Sequence, residues 1–295
     1  MQVLERTMDL VVTDQDVEFY QEHGWWITPA VLVEDLLNGA MLGLEEHWQG
    51  HRDHRLEGAG KGFADWMPGD GDGTRNNEYV SLQNDRVAKL SLAPVIGAMA
   101  AKLAGTSAIR LWDDQILVKP VGQKEVGIGW HVDRDYWGTC TSQNLLTAWI
   151  PLHDCPEEMG PLVVLDGSHR WSDRLDRTAL SFHKQDTDAL VREVHAIGEE
   201  FKPVSMVMKK GQFSFHHCKT IHGGGTNRGS HPRVGVAVHY QDESNRYQLA
   251  NRKDGRPVVL FNDQICGRDE KGHPDYRDGR VFPMVWSARE LDQGA

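Results

Sequence analysis

Trp130-His131-Val132-Asp133 and, well downstream, Thr220-Ile221-His222-Gly223-Gly224-Gly225-Thr226-Asn227, followed by Arg233, decide how this chain is read. They supply two imidazoles, one carboxylate and a guanidinium. Along an extended chain, residues i and i+2 point to the same side, roughly 6.5 Å apart. His131 and Asp133 can therefore lean onto one ion while Val132 points away. A third ligand must come from elsewhere, and His222 is the best placed. It follows the run Gly211-Gln212-Phe213-Ser214-Phe215, which reads as a strand, and precedes three glycines that read as a turn. The chain then returns as Arg233-Val234-Gly235-Val236-Ala237-Val238-His239-Tyr240, strongly strand-like, which brings Arg233 near the metal. Two His and one carboxylate leave coordination positions open, the arrangement used by non-haem iron oxygenases. A guanidinium beside them can grip a carboxylate through two parallel hydrogen bonds, which a lysine cannot reproduce.

Working outward, Thr13-Asp14-Gln15-Asp16 predicts a helix start with acids in the first turn, the helix ending at Gly24. Trp25 to Ile27 reads as a short strand and Val33 to Trp48 as an amphipathic helix. Residues 51–80 are polar and Gly-rich and carry Phe63 and Trp66; a long irregular segment of this kind is read as a lid over a pocket. A helix is expected over Leu92 to Ala104, strands over Ile109 to Lys119, 145–152 and 161–165, and a short helix over 186–195 before Val204 to Met208. The tail from Gln241 to Ala295 is expected to pack over the barrel mouth. Helices first and strands from residue 109 onward predict a mainly β chain with flanking α-helices, a double-stranded β-helix (jelly roll, cupin-like). The expected organisation is one domain over 1–295, with a helical part at 13–104, a jelly-roll core at about 108–240 and an extension at 241–295.

At this point the residues resemble the phytanoyl-CoA dioxygenase-like branch of the Fe(II)/2-oxoglutarate oxygenases. The likeness rests on segments in one order: Asp114 to Pro120, Trp130-His131-Val132-Asp133 with Tyr136-Trp137, Leu146 to Leu152, Gly160-Pro161-Leu162 through Asp166-Gly167-Ser168-His169-Arg170, and His222 to Arg233. Asp166 stands where the family usually has proline. The resemblance implies that His131, Asp133 and His222 bind Fe(II) and that Arg233 holds the distal carboxylate of 2-oxoglutarate. Gln115, Lys119, Thr147 and Trp149 are implied neighbours of that cosubstrate. The implied reaction consumes O2, releases succinate and CO2, and oxidises a small molecule, hydroxylation being the expected outcome. Desaturation, cyclisation, epimerisation and acyl-CoA hydroxylation remain open alternatives. Related halogenases replace the carboxylate with a small residue, so Asp133 disfavours halogenation. Many relatives tailor natural products, and no basic, adenine-friendly segment singles out an acyl-CoA here. Trp66, Arg134, Tyr136, Trp137 and His217 are the expected substrate contacts.

Composition agrees. Lys+Arg total 32 against 43 Asp+Glu, an acidic balance that disfavours a nucleic-acid partner. Cys140, Cys155, Cys218 and Cys266 are scattered without a CxxC pair, which suits a reduced cytoplasm. No secretion signal is read in Met1 to Val12, and no apolar run approaches the ~20 residues that span a bilayer, so the expected location is cytoplasmic. Among the other histidines, His51 and His54 read as a solvated loop and His169 as a turn stabiliser. Two rival classes remain. A non-oxidative cupin-like enzyme using Zn²⁺ would not need Arg233, and a binding module without chemistry would not need three ligands.

Overall fold

The computed structural model describes residues 11–56, 62–71, 73–122, 128–181, 186–252 and 254–288. Helix α1 (Asp14–His23) starts where Thr13 and Asp16 cap one another reciprocally and stops at Gly24, whose φ of 76° is the left-handed turn a glycine adopts freely. Strand β1 (Trp25–Ile27) follows. Helix α2 (Glu34–Trp48) buries Leu37, Ala40, Gly43, Leu44 and His47, a stripe at helical spacing. Strand β2 (Arg75–Glu78) emerges from the segment expected to be a lid. Helix α3 (Asp85–Ser91) and helix α4 (Pro94–Ala104) replace the single helix expected from Leu92. Pro94 occupies the first turn of α4, where its missing N–H costs nothing, and ends the preceding helix. By length and composition alone Asp85–Ala104 meets the measure of a membrane span, but it is divided into two helices at Leu92-Ala93. Its apolarity is spent on the core, where Val87, Leu90, Ile96, Met99 and Leu103 are buried.

The strands form two sheets. Strands β3 (Ala108–Lys119), β5 (Leu146–Pro151), β8 (Ser214–His217), β10 (Arg233–Asp242) and β11 (Met284–Ser287) build the larger one with β1 and β2. Its order is β1-β8-β5-β10-β3, with β2 and β11 both against the far edge of β3. The smaller sheet runs β4 (Ile128–His131), β9 (His222–Gly224), β6 (Leu162–Leu165), β7 (Pro203–Ser205). Every strand pair is antiparallel. Helix α5 (Thr187–Ala196) covers the smaller sheet's outer side through Leu190 and Val194, and α6 (Phe261–Ile265) lies in the C-terminal tail.

Alternation along the large sheet sets what faces what. Ile116 and Val118, Leu146, Ala148 and Ile150, Phe213 and Phe215, and Val234, Val236, Val238 and Tyr240 turn to α1–α4 and form the main core. Full burial of each Val, Leu, Ile or Phe side chain among them contributes ~1.5–3 kcal/mol. The opposite parity, starting with Arg233, Gly235, Ala237 and His239, faces the small sheet. Antiparallel register lines these residues into rows. His216, Thr147, His239 and Asp113 are consecutive partners across β8, β5, β10 and β3; Ser214, Trp149, Ala237, Gln115 and Glu78 form the next row, extending to β2. The tail packs beside these rows: Tyr276 and Phe282 close a cluster around Trp112 and Trp137.

Candidate metal centre

His131 ends β4 and His222 begins β9, and the two are direct partners in the ladder. Val132 carries the chain round, so that Asp133, opening a 3-10 turn, faces back to the pair. The two imidazoles and the carboxylate offer ligand atoms within 4.8 Å of one another, all buried. His131 Nε2 lies 3.7 Å, and His222 Nε2 3.4 Å, from Asp133 Oδ1. Each ring donates its Nδ1 proton to a backbone carbonyl, His131 to Gly129 O and His222 to Thr220 O, both at 2.9 Å. A carbonyl can only accept, so in the neutral rings each Nε2 carries the lone pair, and both Nε2 atoms are turned to the same carboxylate oxygen. That donor set, with tautomers fixed by backbone oxygens, fits a divalent metal ion.

The electrostatics agree. Burial, reinforced by His222, brings His131 down to about 3, so the ring is neutral at pH 7. Burial also opposes charge on Asp133 and His222, but their mutual attraction outweighs it. The carboxyl is held well below the usual range and the His222 ring is raised. Asp133 Oδ2 is taken by Thr147, whose hydroxyl lies 2.7 Å away and also 2.7 Å from His239 Nδ1. The hydroxyl has one proton. If it donates to the carboxylate, His239 donates Nδ1–H to the hydroxyl. Thr147 thus leaves Oδ1 as the oxygen facing the two Nε2 atoms. Replacing it by Val is expected to weaken metal binding ten- to hundredfold, the usual effect of losing such a supporting contact, read by Fe(II) or Co(II) titration with melting temperature as the control for folding.

Beyond the triad a narrow inner cavity runs between the sheets, walled by Trp149, His216, Gly224 and Arg233 among others. Lys119 and Arg233 are cross-strand partners, each only 1% exposed; Arg233 lines this cavity, and Lys119 Nζ lies close behind Gly224 in its wall. Lys119 Nζ donates to Gly225 O (2.7 Å) and Arg233 Nη1 to Gly160 O (2.6 Å). Arg233 lies over the Trp149 ring at 5.2 Å, and its Nε has no partner. Neither cation has a carboxylate within ion-pair distance among the described residues. A Cβ at Gly224 would stand 2.7 Å from Lys119 Nζ and 3.8 Å from Arg233 Nη1, so the bare glycine leaves room for both side chains where they now lie.

On the other side of the triad an outer chamber of about 320 Å³ shares His131, Asp133, Gln115 and His239 with the inner one, and adds Ala64, Asn76, Glu78, Asp113, Tyr136 and Trp137. The expected lid is in part its wall. β2 pairs with β3, and Asp65 ties the preceding loop down through His47 (2.7 Å), Arg52 (3.2 Å) and Asn77 (3.0 Å). Residues 57–61 and 72 of that segment lie outside the described residues.

Three expected substrate contacts lie elsewhere. Trp66 packs on Trp48 and Arg75 and donates to Gly71 O. Arg134 staples its own turn by donating to Trp137 O and Cys140 O. His217 packs on His169 and accepts from the Lys219 backbone N–H. Its neighbour His216 faces the site instead, with Nε2 3.3 Å from Asp133 Oδ2. Tyr136 and Trp137 do line the chamber. The first two of the three glycines read as a turn belong to strand β9, and β10 lies between β5 and β3. His239, Asp113 and Glu78 went unnoticed in the sequence. His239 was findable, for it shares strand parity with Arg233.

A family model described as phytanoyl-CoA dioxygenase matches residues 20–235. The peroxisomal phytanoyl-CoA dioxygenase of Bos taurus is 28% identical over 128 residues, 40% of this chain and 34% of that protein. Ectoine dioxygenase of Bordetella bronchiseptica is 27% identical over 178 residues, 52% of this chain and 56% of that protein. The chain thus spans about a third to just over half the length of these curated relatives. The epimerase SnoN in complex with Fe3+, alpha ketoglutarate and nogalamycin RO superposes with a TM-score of 0.66 at 23% identity, covering 95% of this chain and 99% of that one. At that identity the likeness concerns the fold.

Proposed function

The chain belongs to the phytanoyl-CoA dioxygenase family, and on that premise we propose that it is an Fe(II)- and 2-oxoglutarate-dependent dioxygenase. It hydroxylates an unactivated C–H bond of a small metabolite in natural-product tailoring and releases succinate and CO2. The observation that carries the reading is Arg233, a buried cation with no carboxylate within ion-pair distance among the described residues, lining a cavity that begins at the His131/Asp133/His222 cluster, with buried Lys119 as its strand partner. A dicarboxylate of the right length is what such an arrangement lacks.

His131, Asp133 and His222 would hold Fe(II), which with the oxoacid supplies dioxygen activation and C–H oxidation. The remaining work belongs to the protein. Arg233 receives the distal carboxylate of 2-oxoglutarate, backed by Lys119 and held flat by the Trp149 ring. Thr147 and His239 keep Asp133 turned to the histidines. Gln115 stands at the junction of the two cavities. The inner cavity is walled mostly by buried residues, and the outer chamber presents substrate to the same ligands. Glu78 and Asp113 in that chamber oppose the phosphates of an acyl-CoA, which favours a small non-CoA substrate.

Incubation with Fe(II), 2-oxoglutarate, ascorbate and O2 is expected to yield succinate slowly even without substrate, and not when 2-oxoglutarate is omitted. No succinate from metal-loaded protein would overturn the assignment and favour a hydrolytic or isomerising metal enzyme.

A further inference from the structure

The outer chamber has an unusual electrostatic wall. Glu78 pairs with Gln115 across β2 and β3, and Asp113 lies two residues along β3 on the same face. Diagonal neighbours of this kind stand about 7–8 Å apart at Cβ. The Glu78 carboxylate is fixed, accepting from Ala64 N–H and Gln115 Nε2, both at 2.9 Å. Asp113 faces His239 at 3.5 Å, and its Oδ1 has no hydrogen-bond partner. No lysine or arginine lines the chamber among the described residues. Arg75, the nearest in β2, is turned away onto Trp48 and Trp66. Trp137 is locked against His239 at 5.0 Å and Tyr136 stands half-exposed beside it.

We infer that the substrate carries a protonated amine, received between Glu78 and Asp113 and faced by the Trp137 and Tyr136 rings. This rests on the dioxygenase reading of the site and adds the substrate class. A cation satisfies both features of the wall at once, the acids by charge and the rings by their negative faces. A neutral polyol would bring no counter-charge to this acidic wall, and an anion would be repelled. Burial and the charge of Glu78 push the Asp113 carboxyl well above the usual carboxylate range, and an ammonium group placed beside it favours the ionised form.

The test compares three probes of similar shape, benzylamine, benzyl alcohol and benzoate, by calorimetric titration of the full chain loaded with Ni(II) and 2-oxoglutarate. Benzylamine is expected to bind at least about tenfold more tightly than benzyl alcohol, with benzoate the weakest. Glu78→Gln and Asp113→Asn should each bring the amine down toward the alcohol while leaving the alcohol unmoved. Benzylamine binding no better than benzyl alcohol in the unaltered protein overturns the inference without any variant having to fold. The same titrations record 2-oxoglutarate binding. Its absence overturns both readings, whereas 2-oxoglutarate binding without amine preference overturns the substrate class alone.

Discussion

Asp133→Ala is expected to lower Fe(II) affinity by more than about a hundredfold and to abolish succinate formation. Groups that merely support a ligand cost ten- to hundredfold when removed, and Asp133 is itself one of three proposed ligands. It is also the only anion among them, so its loss leaves two neutral imidazoles to hold a divalent charge. The damage is local. Thr147 keeps His239 as a partner, and both Nδ1 anchors, to Gly129 O and Thr220 O, are untouched. The variant should therefore fold, and thermal melting of the metal-free protein separates ligand loss from collapse. Undiminished iron binding by a folded Asp133→Ala protein would remove the centre from the proposal.

That residue was readable because HxD spacing and strand alternation are local properties. The same holds for α1, whose start and stop lie in Thr13, Asp16 and Gly24. Failures came where the decisive contact was distant. Arg134 follows a ligand directly and looks positioned for substrate, yet carbonyls of its own turn claim it. Trp66 looks like a cavity aromatic in a loose loop. The loop is in fact fixed by Asp65, a hub joining α2 and β2, and its tryptophan turns to Trp48. His216 and His217 differ by one position, and a one-residue difference in strand parity exchanges the site for the far face. Only the pairing of His216 with Thr147 settles which of them faces Asp133. The glycines after His222 read as a turn because glycine usually breaks a strand. Here Gly223 and Gly224 continue the strand from His222, and at Gly223 a Cβ would meet the Ile128 carbonyl oxygen at 3.0 Å.

The row arrangement explains why residues so distant in sequence act together. Asp113, His239 and Thr147 are partners on three adjacent strands, and the last meets Asp133. One end of the row forms the wall of the outer chamber and the other supports the proposed metal ligand. Register alone makes that connection, so a slip of β10 by one residue would remove Arg233 and His239 from the site together.

Arg233→Ala is expected to weaken 2-oxoglutarate binding by roughly tenfold to a hundredfold or more, the equivalent of a charge-assisted hydrogen-bonding contact worth about 1.5–3 kcal/mol. Iron affinity should change far less, because Arg233 lines the inner cavity beside Lys119 and is not one of the three proposed ligands. Stability gives an independent readout. In the free protein Arg233 is a buried cation with one backbone partner and an unpartnered Nε, and burial lowers its pKa to about 10. Its removal relieves a desolvated charge, so the metal-loaded variant without oxoacid should melt no lower than its parent by more than the loss of packing on Trp149 accounts for. Oxoacid then separates the two. At one hundred times the parent Kd, ligand stabilises the parent by about 2.7 kcal/mol, whereas a hundredfold weaker variant gains only about 0.4 kcal/mol at the same concentration. Arg233→Lys should fall between, retaining charge without the planar fork. An Arg233→Ala protein that keeps the full 2-oxoglutarate-induced shift in melting temperature would show that the cosubstrate is gripped elsewhere, and Lys119→Met would then be the variant that loses it.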